Sequence, residues 1–198
     1  IVNLAIQNEW LLRNPFVNFK IKNEKVDVEF LTENELTILS RTKLTNEGLI
    51  RIKDIFLFCC FTGLSYVDIK NLRKTELDIG IDGKIWIRKK RQKTGGLCRI
   101  RILPFAKVIL DKYDCNTNLV LPVTSNQNMN RGLKKITLIA GLQKQLSMHM
   151  ARHTFATYAL TKNVSIESIS QMLGHKSIKS TEIYAKVVDT KISVEMDA

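Results

Sequence analysis

Residues 147–184 read SMHMARHTFATYALTKNVSIESISQMLGHKSIKSTEIY, and this stretch decides how the rest of the chain is read. Two helices are expected in it, over about 149–161 and 165–173, followed by a third over about 177–187. His149 and Arg152 stand three positions apart and so share one helix face. Gly174 ends the second helix, His175 sits at the turn, and Tyr184 follows on the next helix. The order predicts two imidazoles, a guanidinium and a phenol brought to one end of a helical layer.

Just upstream the rhythm changes. Ile85-Trp86-Ile87 and Cys98-Arg99-Ile100-Arg101-Ile102 are rich in β-formers, and Lys93-Thr94-Gly95-Gly96 separates them. A small antiparallel sheet is expected, its last hairpin carrying a basic block. Further back, Thr32 and Glu35 form a capping box that opens a helix to about Leu44. A strongly apolar helix from about Glu47 to Phe61 is expected to be central, broken at Thr62-Gly63, with a short helix from Ser65 to Arg73. Downstream, helices are expected over about 104–113 and 126–140. Residues 1–13 read as a helix end stopped at Asn14-Pro15, because proline disfavours helical geometry in its predecessor. The fold class is therefore mainly α with a small antiparallel β-sheet (α+β). Residues 1–28 are read as a helix end and interdomain linker, and 29–198 as one domain with a C-terminal tail. The missing initiator Met and the start in mid-pattern are read as a piece of a longer chain.

Of 198 residues, 31 are Lys or Arg and 19 are Asp or Glu, leaving a net charge of +12. The charge is not spread evenly. No acid lies between Asp82 and Asp111 or between Cys115 and Ile166, while Lys89, Lys90, Arg91, Arg131, Lys134 and Lys135 fall in those windows. A solvated basic surface would account for this, but such blocks fit a polyanion such as double-stranded DNA better. Cys59, Cys60, Cys98 and Cys115 show no C-x-x-C spacing, which favours a reduced, cytoplasmic protein without zinc or disulfides. No apolar run reaches the ~18 residues of a membrane span. His149 and His153 are four apart, but Met150 stands where a metalloprotease motif needs glutamate. No metal or other cofactor is expected, and His153 is read as structural. Trp10 and Trp86 are expected to serve packing.

The residue types suit one task, breaking a phosphodiester without a metal. Arginine offers a planar fork to two phosphate oxygens and keeps its charge. Histidine donates to remaining oxygens or carries a proton near neutrality. A phenol becomes a nucleophile where nearby cations favour its ionised form. Lysine on a hairpin can protonate the leaving oxygen, and Lys93 is placed for that.

Together, His149-x-x-Arg152-His153-Thr154, Leu173-Gly174-His175 and Tyr184 resemble the C-terminal signature of the tyrosine site-specific recombinase (phage integrase) family. The resemblance extends to Thr62-Gly63-Leu64, Asp68 and Lys93-Thr94, covering roughly residues 30–188. It implies a catalytic core of the kind shared with type IB topoisomerases, and Asn14-Pro15-Phe16 resembles the join to a core-binding domain. It further implies that Tyr184 forms a 3′-phosphotyrosyl link, that Arg152, His149 and His175 hold the phosphate, that Lys93 is the general acid and that Asp68 orients these groups. Self-association into a tetramer on DNA is implied, with Val187, Val188, Ile192, Val194 and Met196 of the tail as apolar contacts, or packed back on their own domain.

One departure bears on the chemistry. The family has arginine after Thr-Gly-Leu, where this chain has Ser65. Losing one such donor costs about 3 kcal/mol or more. Integrases of some conjugative transposons are similar in lacking that arginine. Lys53 and Arg51, on the preceding helix and with Arg73 behind them, are the expected surrogates. The alternatives are a catalytically impaired DNA-binding homologue, for which Ser65 speaks, and a topoisomerase-like enzyme.

Overall fold

The computed structural model describes residues 1–19, 28–113, 117–184 and Met196. In chain order the elements are α1 (Val2–Gln7), α2 (Glu33–Arg41), α3 (Glu47–Thr62), α4 (Tyr66–Lys70), β1 (Leu77–Ile79), β2 (Ile85–Lys90), β3 (Leu97–Arg101), α5 (Pro104–Lys112), α6 (Asn126–Ala140), α7 (Met148–Thr161) and α8 (Ile166–Leu173). Single 3-10 turns follow at Ile178–Ser180 and Glu182–Tyr184. A continuous C-terminal helix over 177–187 is therefore not formed within the described part.

Polar side chains set where the helices begin. The Glu35 amide donates to Thr32 Oγ1 and the Thr32 amide to the Glu35 carboxylate, the expected capping box. Asn46, Ser65, Ser125, Ser147 and Ser165 cap α3, α4, α6, α7 and α8 in the same way with one side-chain acceptor each. The N-terminal helix is shorter than expected. It ends at Gln7, eight positions before Pro15, where Asn8 leaves helical geometry and Glu9 takes a positive φ of 57°.

Helix α3 is the pillar of the core. Ile55, Phe56, Phe58 and Cys59 are fully buried, so its second half is apolar on every side. It packs against α5, α6 and α7, and α2 covers another flank. A smaller apolar cluster lies on the far side of α7, where Phe155, Ala156 and Leu160 meet Ile169 and Leu173 of α8 and the ring of Tyr184.

The sheet has the order β1-β2-β3, antiparallel throughout, with Ile87 opposite Ile100 and Arg88 opposite Arg99. Side chains alternate faces along a strand. Ile87, Lys89, Cys98 and Ile100 are buried while Arg88, Lys90, Arg99 and Arg101 are exposed. The basic block is thus divided between two faces rather than presented as one patch. Trp86 is half-buried and donates its indole N–H to Asp82 Oδ1, but Trp10, expected to pack, is 75 % exposed.

Candidate active site

Arg152 lies near the start of α7, and its fork bridges two helix ends. Nη1 donates to the Gly63 carbonyl and Nη2 to the Leu173 carbonyl, both at 2.7 Å. These carbonyls close α3 and α8, where helical geometry leaves acceptors unfilled and the dipole is negative. The side chain is 5 % exposed. Of the five N–H donors of an arginine, these two are engaged and the others remain for a ligand. Burial, and next the Arg91 charge, push Arg152 down to about 10, so it stays protonated at neutral pH.

Gly174, which follows Leu173, is held by two requirements at once. Its φ is +60°, and a Cβ there would meet Cys98 Sγ at 2.7 Å and Arg91 Cδ at 2.8 Å. The β2–β3 hairpin docks on this turn. Thr94 Oγ1 donates to the Gly174 carbonyl at 3.2 Å, and a Cβ on Gly96 would lie 2.4 Å from that same oxygen. Lys93, at the hairpin tip beside Thr94, is exposed and borders the cleft below.

At Ser65 the serine hydroxyl donates to Asp68 Oδ2 at 2.6 Å. The same carboxylate accepts from Arg91 Nε at 3.4 Å and, on Oδ1, from the Gln92 amide at 3.1 Å. Asp68 is 2 % exposed and Arg91 8 %. A second guanidinium therefore enters the site from the hairpin, held by a buried acid. It was expected only among the DNA-contacting surface residues. The signal lay in strand parity: Ile87, Lys89 and Arg91 share one face, and that face turns inward.

Around these groups opens a cleft of about 730 Å³, lined by Ser65, Arg91, Lys93, His149, Arg152, His153, His175 and Tyr184. His175 Nδ1 and Thr181 Oγ1 are 2.8 Å apart. Burial, then the Arg152 and Arg91 charges, push His175 down to about 4. Burial, then Arg152, Lys93 and Arg91, lower His149. The ring of His149 meets that of His153 edge-on at 4.3 Å between centroids. Tyr184 Oη lies 2.8 Å from His153 Nδ1, so His153 touches the phenol rather than serving only the helix packing expected of it. Burial raises the Tyr184 pKa, while Arg152 and Arg91 pull it back.

The other expected site residues go elsewhere. Lys53 donates to the carbonyls of Ser40 at 3.3 Å and Thr42 at 2.7 Å, and neither it nor the exposed Arg51 lines the cleft. Lys53 precedes the end of α3 by nine residues, about 13 Å at the rise of a helix. That distance defeats the expected substitution for the missing arginine. Lys89, expected on DNA, is 7 % exposed and binds the Glu76 carboxylate at 2.8 Å and the Asn71 carbonyl at 3.0 Å. Lys90, Arg131, Lys134 and Lys135 are exposed. Tail positions Val187, Val188, Ile192 and Val194 lie outside the described residues. No helix among the described residues is long and apolar enough to cross a membrane.

The model of the phage integrase family matches residues 29–191. The chain is 29% identical over 190 residues to the tyrosine recombinase XerC of Oceanobacillus iheyensis, covering 88% of this chain and 62% of that protein. It is 26% identical over 190 residues to a tyrosine recombinase of Pseudothermotoga lettingae, covering 90% and 61%. It thus spans about three-fifths of the length of these curated relatives. Its fold is similar to that of XerH site-specific recombinase in a post-cleavage complex with difH substrate, with a TM-score of 0.71 at 18% identity, covering 86% of this chain and 53% of that one. It is also similar to the Tn1549 transposon integrase in complex with a circular intermediate DNA, with a TM-score of 0.68 at 18% identity, covering 92% and 70%.

Proposed function

The chain belongs to the phage integrase family, and on that premise we propose that it is the catalytic part of a site-specific DNA recombinase working through Tyr184 without metal or ATP. The observation that carries this reading is convergence: two guanidiniums and three imidazoles border one cleft with the Tyr184 hydroxyl. Asp68 balances one of the two guanidiniums, so the cleft wall keeps a net positive charge that favours an anion. A backbone phosphate of DNA is the anion the family handles.

The chemistry follows from the groups. Tyr184 Oη attacks phosphorus, a 3′-phosphotyrosyl bond forms, and the bond to the 5′ oxygen breaks. Arg152 and Arg91 neutralise the charge that grows on the non-bridging oxygens, which electrostatic preorganisation makes the largest contribution. His149 and His175 hydrogen-bond those oxygens. Lys93 protonates the leaving 5′ oxygen. Arg91 thus takes the part that an arginine at position 65 would play, held by the Asp68 carboxylate that also accepts from the Ser65 hydroxyl. The phosphotyrosine ester retains the energy of the broken bond, so a second 5′ hydroxyl can reseal the strand.

The departure at Ser65 supports a mobile-element integrase, similar to those of conjugative transposons, in the cytoplasm. Residues 1–28 would then join a core-binding domain, and the segment after Tyr184 would link protomers of a tetramer on DNA.

The test is covalent trapping. Protein carrying this chain is mixed with a randomised pool of nicked duplexes and resolved under denaturing conditions. A DNA adduct that disappears with Tyr184→Phe is the expected result. Reversible, salt-sensitive binding with no adduct from any sequence in the pool would overturn the proposal and favour a binding homologue.

A further inference from the structure

We propose that His153 is a catalytic residue that holds the Tyr184 hydroxyl through Nδ1 and accepts its proton as the oxygen attacks phosphorus. This rests on the reading of Tyr184 as the nucleophile and adds the destination of its proton.

The geometry singles out one ring. Among the described residues, His153 Nδ1 is the imidazole nitrogen within hydrogen-bond reach of Tyr184 Oη, at 2.8 Å. His175 directs its Nδ1 to Thr181 instead, and His149 meets His153 edge-on without a bond to the phenol. The pairing is built by packing. The Tyr184 ring is 2 % exposed in the apolar cluster of α7 and α8, so its hydroxyl has little freedom to search for water as a base. A buried phenol resists ionisation, and burial does raise Tyr184. An adjacent acceptor is what such a nucleophile needs.

The groups facing His153 fix its protonation. From its own helix these are His149 and Arg152, from the C-terminal turn Tyr184, and from the hairpin across the cleft Arg91 and Lys93. Burial and the His149 and Arg152 charges keep the ring neutral, with a pKa of about 4, so Nδ1 is free to accept when Nε2 carries the hydrogen. Phosphate in the cleft opposes those cations and raises the basicity of the ring as attack proceeds. The balance closes: the Oη–P bond forms, the phenolic proton moves to Nδ1, the P–O5′ bond breaks, and Lys93 gives its proton to O5′. On resealing, a 5′ hydroxyl attacks and gives its proton to the neutral Lys93 amine, and the His153 imidazolium returns its proton to the departing phenolate oxygen.

The experiment measures single-turnover adduct formation on a nicked duplex recovered by the trapping assay, with wild type, His153→Phe and His153→Asn. Phenylalanine keeps a ring without the acceptor, while asparagine keeps an acceptor near the Nδ1 position that cannot take a proton. Both are expected to slow cleavage about 100-fold near neutral pH, the lower range for general-base catalysis. DNA affinity is expected to stay within about two-fold, and the deficit to shrink as pH rises and the phenol ionises unaided. Wild-type rates for both variants, full recovery by asparagine, or a deficit that does not change with pH would each overturn the assignment. If wild type itself forms no adduct, the proposed function fails first, and the two failures are distinguishable.

Discussion

Asp68 and Arg91 lie 23 positions apart in the chain and meet at 3.4 Å, both side chains buried, with Arg91 at the wall of the cleft. The acid's Oδ2 accepts from both the Ser65 hydroxyl and the Arg91 Nε–H, so the serine and the arginine share one oxygen. Arg91→Ala is expected to slow adduct formation about 100- to 1,000-fold, the usual loss for one preorganised donor. Arg91→Lys recovers only part, because a point charge does not replace a fork. Lys53→Ala and Arg51→Ala should cleave normally. Single-turnover cleavage of the four variants decides it, and normal rates for Arg91→Ala would remove the second guanidinium from the mechanism.

Acid should weaken the unliganded fold in a defined window. His153 and His175 have folded pKa values of about 4 against ordinary values of 6.5. Below 6.5 the unfolded chain binds protons that the folded chain refuses, so stability declines as pH falls toward 4 and levels off beneath it. Glu35, whose pKa is lowered despite burial by Lys144 and by the Thr32 amide and hydroxyl, adds a loss beginning below 4.5. Thermal midpoints across this range should fall with pH, and His153→Phe should flatten part of the slope. A midpoint constant between 6.5 and 4 would contradict the half-buried, neutral rings.

The hairpin should tolerate little at Gly96. A methyl group there meets the Gly174 carbonyl oxygen at 2.4 Å, backbone against backbone. Gly96→Ala is expected to cost about 1–3 kcal/mol and to lift Lys93 from the cleft. Faster amide exchange in β2 and β3 together with slower cleavage is the expected signature. An unchanged melting point would show that the hairpin docks less closely.

The basic residues should separate into two behaviours. Lys134→Gln and Lys135→Gln should weaken DNA binding evenly across sequences, each lowering the salt slope by about 1 if it meets a phosphate. Lys89→Gln should leave that slope unchanged and instead destabilise the fold by about 1–3 kcal/mol, since Glu76 and the Asn71 carbonyl lose their donor. Titrations at several salt concentrations, beside melting curves, distinguish the two.

Local chemistry made most of the fold readable. The capping box at Thr32, the glycine stops at Gly63 and Gly174, and the β-formers around Trp86 each act within a few residues, and the elements formed where those signals stood. The cleft members His149, Arg152 and His175 were readable because helix spacing and one glycine stop bring them to the same end of α7 and α8. The second guanidinium was not. A search along the chain near Ser65 favours α3, whereas the arginine arrives from the β2–β3 hairpin, which long-range packing brings to Asp68 of α4. The contact of His153 with Tyr184 was not legible for a similar reason, since it depends on how the last turn folds back over α7.

Arg152 fastens α3 to α8 with the same guanidinium that faces the cleft. If Arg152 clamps phosphate as proposed, that hold is complete only when both helix ends are seated, whereas Lys134 and Lys135 of α6 are simply exposed. The arginine would then act as an interlock, tying cleavage to the seating of both helices.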